Sequence, residues 1–467
     1  MENGWQLALY FVYLSLFIFI ANAINKKVGF LRNVIVPTAI IAGFTGLLLG
    51  PEFLGWVPFE TEILGMMVYH LMAIGFIALS LKNRDRKRTR NIVSSGIYIV
   101  STYLVQGIVG FGLGLVMINT LFPDLFVGFG LLLPLGYGQG PGQAFSIGSQ
   151  WEALGFTSGG NIGLTVATFG FLWASVIGIP FMNYLVKGQR VGSHQGAVAK
   201  ERILEVEVDQ PLELSLSETL DKITYQLVLI GVVYLMTYLT LVGLTRILVP
   251  LGTFGMTFAT LLWGFHFNIG SIYGIILRVM IDKGEEKGWL RPEITNNYLL
   301  QRISGATFDY MITASIAAIS ILAFRSYFVP VMVLTTVGGL VTLVYTSWML
   351  PRVFKTDTLE NIVAFYGMQT GTISTGMGLL KGVDPHFSTD AAENLVLGSA
   401  VAIFLGAPLM VILNIPIMGY VSGRPALYLL TLGLFAGYLL FLYLLLYLNI
   451  RRGDSEQHLA AGMKKVG

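Results

Sequence analysis

Two stretches of the sequence decide the fold: GYGQGPGQAFS at residues 136–146 and FYGMQTGTIST at residues 365–375. Both contain the pattern Tyr-Gly-x-x-x-Gly. A second pair of similar stretches, GIPFM at residues 178–182 and GAPLM at residues 406–410, lies at nearly the same offset. Two matches at nearly one offset indicate an internal repeat, in which each copy carries a glycine-rich, polar interruption.

The composition around these stretches is that of a membrane protein. Of the 467 residues 54% are hydrophobic and 12% are charged, and the mean hydropathy is +0.71. Soluble domains carry about 25% charged residues, so a typical soluble enzyme and a disordered protein are both excluded. The net charge of +3 is too small to indicate nucleic-acid binding. The absence of cysteine excludes disulfides, zinc–thiolate sites and cysteine nucleophiles.

Eleven segments are long and apolar enough to cross a bilayer as helices, since about 20 apolar residues span its hydrocarbon core. They are residues 5–24, 33–50, 62–81, 92–118, 160–186, 222–247, 251–279, 300–324, 327–350, 389–419 and 426–450. Residues 124–150 and 359–382 are apolar at their ends but interrupted in the middle. We interpret them as re-entrant hairpins or interrupted helices, because irregular backbone at membrane depth is stable only inside protein or beside a cavity. The sequence therefore predicts an all-α polytopic membrane protein with eleven spans and two hairpins.

The distribution of basic residues predicts the orientation. If the N-terminus is outside and both hairpins return to the side they left, the predicted cytoplasmic segments hold all 29 Lys and Arg except Arg246, Arg325 and Arg424. Cytoplasmic loops of membrane proteins are enriched in these residues. If either hairpin crossed the membrane fully, the later loops would invert and this bias would collapse. We therefore expect a multi-pass protein of the cytoplasmic membrane with a cytoplasmic C-terminus.

The spans between the two hairpins predict how the repeats are related. Residues 1–186 and residues 222–420 each contain four crossings, a hairpin and a fifth crossing. Because an odd number of crossings separates equivalent elements, the two repeats must have inverted topology. Inverted repeats with paired broken elements are typical of secondary transporters. Residues 187–221 are predicted to be a cytoplasmic linker, and residues 421–467 an additional C-terminal span with a cytoplasmic tail.

The hairpins carry the predicted substrate-binding residues. Glycine lets backbone approach a ligand, and free N–H groups at a broken helix tip attract anions such as carboxylates. The candidates combine glycines with amide and hydroxyl side chains: Gln139, Gly140, Gly142, Gln143 and Ser146 in the first hairpin, and Gln369, Thr370, Gly371, Thr372 and Ser374 in the second. The alternative is that the glycines only allow close helix packing.

Thr168, Asp309 and Thr375 are the candidate sodium ligands. Intramembrane carboxylates and hydroxyls can supply the hard oxygen atoms that sodium prefers. An intramembrane acid such as Asp309 is by default a functional candidate, here as an ion ligand or a proton carrier. Asp309 could instead form a structural ion pair with Arg302, seven residues earlier. Thr168 could instead bond its own helix backbone. We interpret Gln106, in the fourth predicted span, as an interhelical hydrogen-bond partner.

Over about residues 1–420 the sequence resembles the bacterial sodium/glutamate symporter family. The resemblance is strongest at GQGPGQAF, residues 138–145, and extends to ATFG at residues 167–170 and YLVK at residues 184–187. It implies sodium-driven uptake of L-glutamate by a homodimer, with sodium as coupling ion and no other cofactor. It also implies an elevator-like alternating-access mechanism, in which a domain that carries both hairpins moves against a scaffold.

The chain departs from the family pattern at both hairpin tips. Gln369 stands where the family has a middle glycine, and Gln139 and Pro141 stand where members often have histidine and threonine. The final predicted span, residues 426–450, is an addition to the shorter members. The fold and the ion coupling follow from the resemblance, whereas these differences bear on the choice of substrate.

Three other functions are compatible with parts of the sequence. A cation-coupled symporter for another small organic anion or amino acid would use the same architecture, and competition among such solutes would distinguish it. A membrane-embedded enzyme would need a nucleophile, an acid–base pair or a metal cluster, and the five histidines are dispersed. A channel could also use re-entrant loops, but a channel cannot concentrate its solute.

Overall fold

A computed structural model describes most of the chain: residues 2–27, 37–82, 90–189, 216–290, 294–384 and 389–463. All regular structure within these ranges is helical. Most of the predicted linker at residues 187–221, and most of the basic run at residues 82–90, lies outside them. The prediction of an all-α protein is therefore confirmed for the described residues.

In the described part of the first half of the chain there are seven α-helices, one of which belongs to an interrupted segment. The α-helices are α1 (Glu2–Lys27), α2 (Thr38–Leu49), α3 (Thr61–Ser80), α4 (Arg90–Thr120), α5 (Pro141–Glu152), α6 (Gly159–Val176) and α7 (Gly178–Gln189). Between α4 and α5 lie a short 3₁₀ turn, Phe129–Leu131, and a π-helix, Pro134–Gln139. The 3₁₀ turn, the π-helix and α5 together form broken segment 1 (residues 129–152).

The described residues of the second half form twelve α-helices. They are α8 (Leu216–Leu248), α9 (Thr253–Trp263), α10 (His266–Glu286), α11 (Asn297–Ala317), α12 (Ile321–Ser326), α13 (Phe328–Val353), α14 (Thr358–Gln369), α15 (Ile373–Val383), α16 (Ala391–Leu405), α17 (Ala407–Ile412), α18 (Ile415–Val421) and α19 (Ala426–Met463). Helices α14 and α15 pack against each other and form broken segment 2 (residues 358–383).

Within the described residues, seven helices are long and apolar enough to cross a membrane. An eighth span is present if the pair Ala391–Leu405 and Ala407–Val421, bent by 51°, is one crossing. Three predicted spans differ from a long apolar helix. Of residues 33–50, the described part, residues 37–50, contains the 12 residues of α2. Residues 251–279 are broken between α9 and α10, and residues 300–324 contain a break after Ala317. The protein is thus a multi-pass membrane protein, and the count of eleven crossings stays a prediction.

The helices pack as two bundles. The first bundle consists of α1, α2, α3 and α8–α11, and its closest helix pairs are α3 with α11, α2 with α11, and α3 with α10. Its core is aliphatic and aromatic, with Leu14, Phe17 and Leu64 among the fully buried side chains. Glycines allow the helices to approach: a methyl group built on Gly43 would lie 2.6 Å from Ile316 Cβ.

The second bundle surrounds α4 and contains both broken segments, α6, α7, α12, α13 and α16–α19. Polar side chains join α4 to α13 inside this apolar core. Tyr98 donates a hydrogen bond of 2.8 Å to the Thr346 hydroxyl, and the hydroxyls of Ser101 and Tyr345 lie 2.7 Å apart. Such bonds hold membrane helices together, because lipid offers no alternative partner.

The C-terminal helix α19 belongs to the second bundle. It packs along α4, where the fully buried Phe435 lies against Gly107. The Asn449 side-chain amide donates hydrogen bonds to Arg90 O at 3.2 Å and to the Ser94 hydroxyl at 2.9 Å. Helix α19 is therefore fixed to the bundle that carries both broken segments.

We expect Phe435→Ala to lower the thermal unfolding temperature of the purified protein by several degrees. Replacing a buried Phe by Ala typically costs about 3–5 kcal/mol of unfolding free energy, because contacts are lost and a cavity remains. The control is Phe441→Ala on the same helix, where the ring is 50% exposed. A thermal melt in detergent measures both variants, and equal melting temperatures for the two would contradict this packing.

Candidate functional site

The break in broken segment 1 lies at Gly140. Its backbone has φ 98° and ψ 177°, a conformation that is open essentially to glycine alone. Pro141 follows as the first residue of α5, where its fixed φ suits a helix start and its missing N–H costs nothing. The first bond within α5 runs from Ala144 N to Gly140 O. The N–H groups of Gly142 and Gln143 therefore have no acceptor within their helix.

Broken segment 2 is interrupted between Gln369 and Ile373. The Thr370 hydroxyl donates to Tyr366 O at 2.8 Å and closes the end of α14. The first bond within α15 runs from Gly376 N to Thr372 O at 2.9 Å. The preceding N–H groups of α15, at residues 373–375, are consequently free of helical acceptors.

The two interruptions meet. A methyl group built on Gly140 would lie 3.5 Å from Thr372 Cγ2 and 3.8 Å from Gly371 O, so the two tips are adjacent, with room for no more than a methyl group between them. Two helix N-termini, those of α5 and α15, converge at this contact. Each N-terminus carries a partial positive charge from the aligned peptide dipoles. The meeting point is thus suited to a negatively charged group.

Helix α6 supports both tips from behind. A methyl group built on Gly170 would lie 2.3 Å from Thr370 O and 2.9 Å from Tyr137 Cδ1. The Tyr137 hydroxyl donates to Thr335 O at 2.8 Å and ties broken segment 1 to α13. Only glycine at position 170 allows the carbonyl of one segment and the ring of the other to pack on the same helix.

A cleft with a cavity volume of about 110 Å³ lies between these tips and the first bundle. The second bundle lines it with the polar side chains of Gln139, Gln143, Thr372 and Ser399, and also with apolar side chains such as Met368, Ile373 and Met410. The first bundle lines it with Phe76, Phe267, Asn268, Phe308 and Met311. No side chain among the described residues that line this cleft is charged.

A protein-family model for the sodium/glutamate symporters matches residues 6–388. The chain belongs to the sodium/glutamate symporter family. The match covers both broken segments and most of the two bundles, and it confirms the resemblance read from the hairpin motifs. No curated protein sequence matches the chain significantly. Family membership implies a transporter rather than an enzyme.

Several polar atoms of this symporter are buried near the tips without a hydrogen-bond partner. They are Gln139 Nε2, Asn268 Nδ2, Gln106 Oε1 and both amide atoms of Gln369. A buried polar atom left without a partner costs about 1–3 kcal/mol, so such atoms usually face a ligand or an ordered water. Two of these residues, Gln139 and Asn268, line the cleft, which is therefore the candidate site.

Gln106 links three elements of the symporter. Its Nε2 donates to the Thr342 hydroxyl on α13 and to Gln369 O at the end of α14, both at 2.9 Å. Its Oε1 lies beside Gly138 of broken segment 1. The prediction of an interhelical partner is confirmed, and the structure adds that this partner holds the end of α14.

The structure brings together only part of the predicted substrate site. Gln139, Gln143, Gly371 and Thr372 line the cleft, and Gly140 forms the tip contact. The remaining described candidates are not among the lining residues: Gly142 lies in the first turn of α5 and packs against Met72 and Met311, Ser146 donates to Gly264 O, Thr370 bonds Tyr366 O, and Gln369 is fully buried. The Ser374 side chain lies outside the described residues.

The three predicted sodium ligands lie outside the cleft lining. The Thr168 hydroxyl donates to Leu164 O at 2.9 Å within its own helix, as in the alternative interpretation. Thr375 Oγ1 lies 3.4 Å from the Thr372 hydroxyl. Asp309 is exposed on α11, between the lining residues Phe308 and Met311.

The structure does not support the alternative ion pair for Asp309. The Arg302 guanidinium lies 5.1 Å from the centre of the Tyr298 ring, on the same helix. No ion pair joins Arg302 to Asp309 in the described part of the chain.

Asn268 lines the cleft, but it was not predicted from the sequence as a candidate site residue. It is a polar residue inside a predicted apolar span, directly after the Gly264–Phe265 break. A polar residue next to a helix interruption at membrane depth was the available signal.

Proposed function

We propose that this symporter imports L-glutamate together with sodium across the cytoplasmic membrane, and that the cleft between the two bundles binds the substrate. The observation that carries the proposal is the meeting of two helix N-termini in a cleft without charged side chains. Free N–H groups in a site shielded from water can bind a carboxylate without any basic side chain.

The two tips suit the chemistry of glutamate. The N–H groups of Gly142 and Gln143 at one tip, and those of residues 373–375 at the other, provide two separate places for carboxylates. Gln139 Nε2 supplies a further donor beside the first tip. The C-terminal ends of the π-helix and of α14 lie in the same region. The carbonyl groups at a helix C-terminus favour cations. An amino acid with two carboxylates and one ammonium group fits this distribution.

Sodium is the proposed coupling ion. Carbonyl oxygens at the ends of unwound helices and nearby hydroxyls are the usual sodium ligands of transporters with broken helices. Thr168, Thr375 and Asp309 remain the proposed candidates, and Thr375 is the nearest of them in sequence to a tip.

The bundle arrangement supports an elevator-like mechanism built on inverted repeats. In the first bundle α1 packs on α2 as α8 packs on α10, and α2 packs on α11 as α3 packs on α10. These pairs are equivalent under the repeat of residues 1–186 and 222–420. We propose that both broken segments are re-entrant hairpins and that the second bundle carries them, with the substrate, past the first bundle. A homodimer with an outside N-terminus and a cytoplasmic C-terminus completes the proposal.

The decisive experiment is uptake of labelled L-glutamate by purified protein in sealed liposomes. We expect accumulation above the external concentration under an inward sodium gradient. We expect none when potassium replaces sodium or when an ionophore collapses the gradient. Uptake that only reaches equilibrium would indicate a channel, and uptake independent of sodium would contradict the coupling.

The alternative is a symporter for another small organic anion or amino acid, which the altered residues Gln139, Pro141 and Gln369 favour. Unlabelled dicarboxylates and amino acids added as competitors test it in the same liposomes. Stronger competition by another solute than by L-glutamate would replace the substrate and keep the mechanism.

A further inference from the structure

The wall of the cleft that belongs to the first bundle is apolar except at one residue. Phe76, Phe267, Phe308 and Met311 supply carbon and sulfur atoms only, and Asn268 supplies a carboxamide. The Nδ2 atom of Asn268 is buried and has no hydrogen-bond partner. A buried N–H group without a hydrogen-bond partner in an apolar wall is unfavourable, unless a ligand in the cleft accepts a hydrogen bond from it.

The position of Asn268 is fixed by the break between α9 and α10. Helix α10 begins at His266, so Asn268 lies in its first turn. The break itself is held from two sides. The Ser146 hydroxyl of α5 donates to Gly264 O at 3.0 Å, and the Tyr69 hydroxyl of α3 donates to Trp263 O at 2.7 Å.

His266 also fixes the break between α9 and α10, through contacts with Tyr69. Its Nε2 lies 2.9 Å from Tyr69 O, and its ring stacks on the Tyr69 ring with centroids 3.5 Å apart. These contacts leave little freedom to the first turn of α10. Asn268 is therefore a preorganised donor rather than a side chain on a flexible loop, and preorganisation is what makes a single polar group effective in binding.

We infer that Asn268 donates a hydrogen bond to a substrate carboxylate from the wall opposite the hairpin tips. The inference rests on the proposed function, because it assigns one more contact to the same substrate. The tips hold the substrate on the second bundle, and Asn268 reaches it from the first. Asn268 is thus a specificity-determining residue that selects an acceptor group on the substrate.

The test uses two substitutions and one matched control. Asn268→Ala removes the donor, and Asn268→Asp keeps the shape but replaces the donor by a carboxylate. The control is Ser271→Ala, one turn further along α10, where the buried hydroxyl bonds Phe267 O at 2.9 Å and does not line the cleft. Size-exclusion profiles and thermal melts establish that each variant is folded.

The readout is the sodium-driven uptake of labelled L-glutamate, resolved into KM and maximal rate. We expect Asn268→Ala to raise KM by about tenfold or more with little change in maximal rate, the effect of one hydrogen bond to a charged group. We expect Asn268→Asp to raise KM further, because its carboxylate repels the substrate. Ser271→Ala should retain the KM of the unaltered protein.

Three results would overturn the inference, and they can be distinguished from one another. If the unaltered protein takes up L-glutamate and Asn268→Ala keeps its KM, or changes maximal rate alone, the contact is absent while the proposed function stands. If Asn268→Asp binds glutamate as well as the unaltered protein does, the carboxamide does not face an anion. If the unaltered protein shows no uptake, the proposed function fails, and the inference falls with it.

Discussion

Gly140→Ala is expected to reduce sodium-driven uptake by about 10- to 100-fold. A side chain at a backbone conformation reserved for glycine costs about 1–3 kcal/mol, and each 1.4 kcal/mol is a factor of ten in an equilibrium. Gly140 sits at φ 98° between the π-helix and α5. The chain can relieve the strain only by moving the tip. The free N–H groups of α5 would then no longer point at the cleft.

The control for this prediction is Gly155→Ala. Gly155 also has a left-handed backbone, φ 105°, but it lies in the loop after α5 and meets only the Tyr420 ring edge and hydroxyl, at 3.6 Å or more. It therefore carries similar strain away from the cleft. Uptake measured in parallel should fall for Gly140→Ala and persist for Gly155→Ala. Similar losses in both would show that general destabilisation, rather than the tip, is responsible.

Gly170→Ala is expected to abolish uptake. The new methyl group would lie 2.3 Å from Thr370 O, far inside the contact distance of real side chains, and the opposing atom is backbone. Because packed interiors compress little, the tip of broken segment 2 or the Tyr137 ring must shift. A misplacement of about 1 Å is enough to cost roughly 100-fold in a positioned site. Uptake by the variant in liposomes measures the effect.

Gly112→Ala on α4 is the matched control for Gly170→Ala. A methyl group built on Gly112 meets nothing within 4 Å. Alanine is a better helix former than glycine by about 1 kcal/mol, so this variant should keep its uptake and its melting temperature. Full activity of Gly170→Ala, with a normal melt, would contradict the role assigned to α6 as the support of both tips.

The local chemistry of glycine and proline made the interruptions predictable. Gly140 and Pro141 stop one helix and start the next by their own backbone constraints, and the structure has its break between the π-helix and α5 at that point. Thr370–Thr372 likewise interrupt an otherwise apolar segment. The family resemblance rested on the same residues, and the family match confirmed it.

Contacts between residues distant in sequence were not predictable. Ser146 looked like a substrate ligand because it follows the first tip, but its hydroxyl is used by Gly264 O, 118 positions away. The same hydrogen bond helps to fix the α9–α10 break, and the break positions Asn268 in the cleft. The sequence of residues 251–279 is predominantly apolar, and its hydropathy therefore predicted one uninterrupted span there. Tertiary hydrogen bonds decide where that span is broken.

The attachment of α19 to α4 has a practical consequence. Leu444 on α19 and Leu235 on α8 are both exposed, and they lie on the second and the first bundle respectively. Because the sequence has no cysteine, a cysteine at each of these two positions can be labelled with fluorophores and with no background. The distance between the two dyes then measures the displacement of the second bundle relative to the first. A change in energy transfer when sodium and glutamate are added would report the transport cycle in real time.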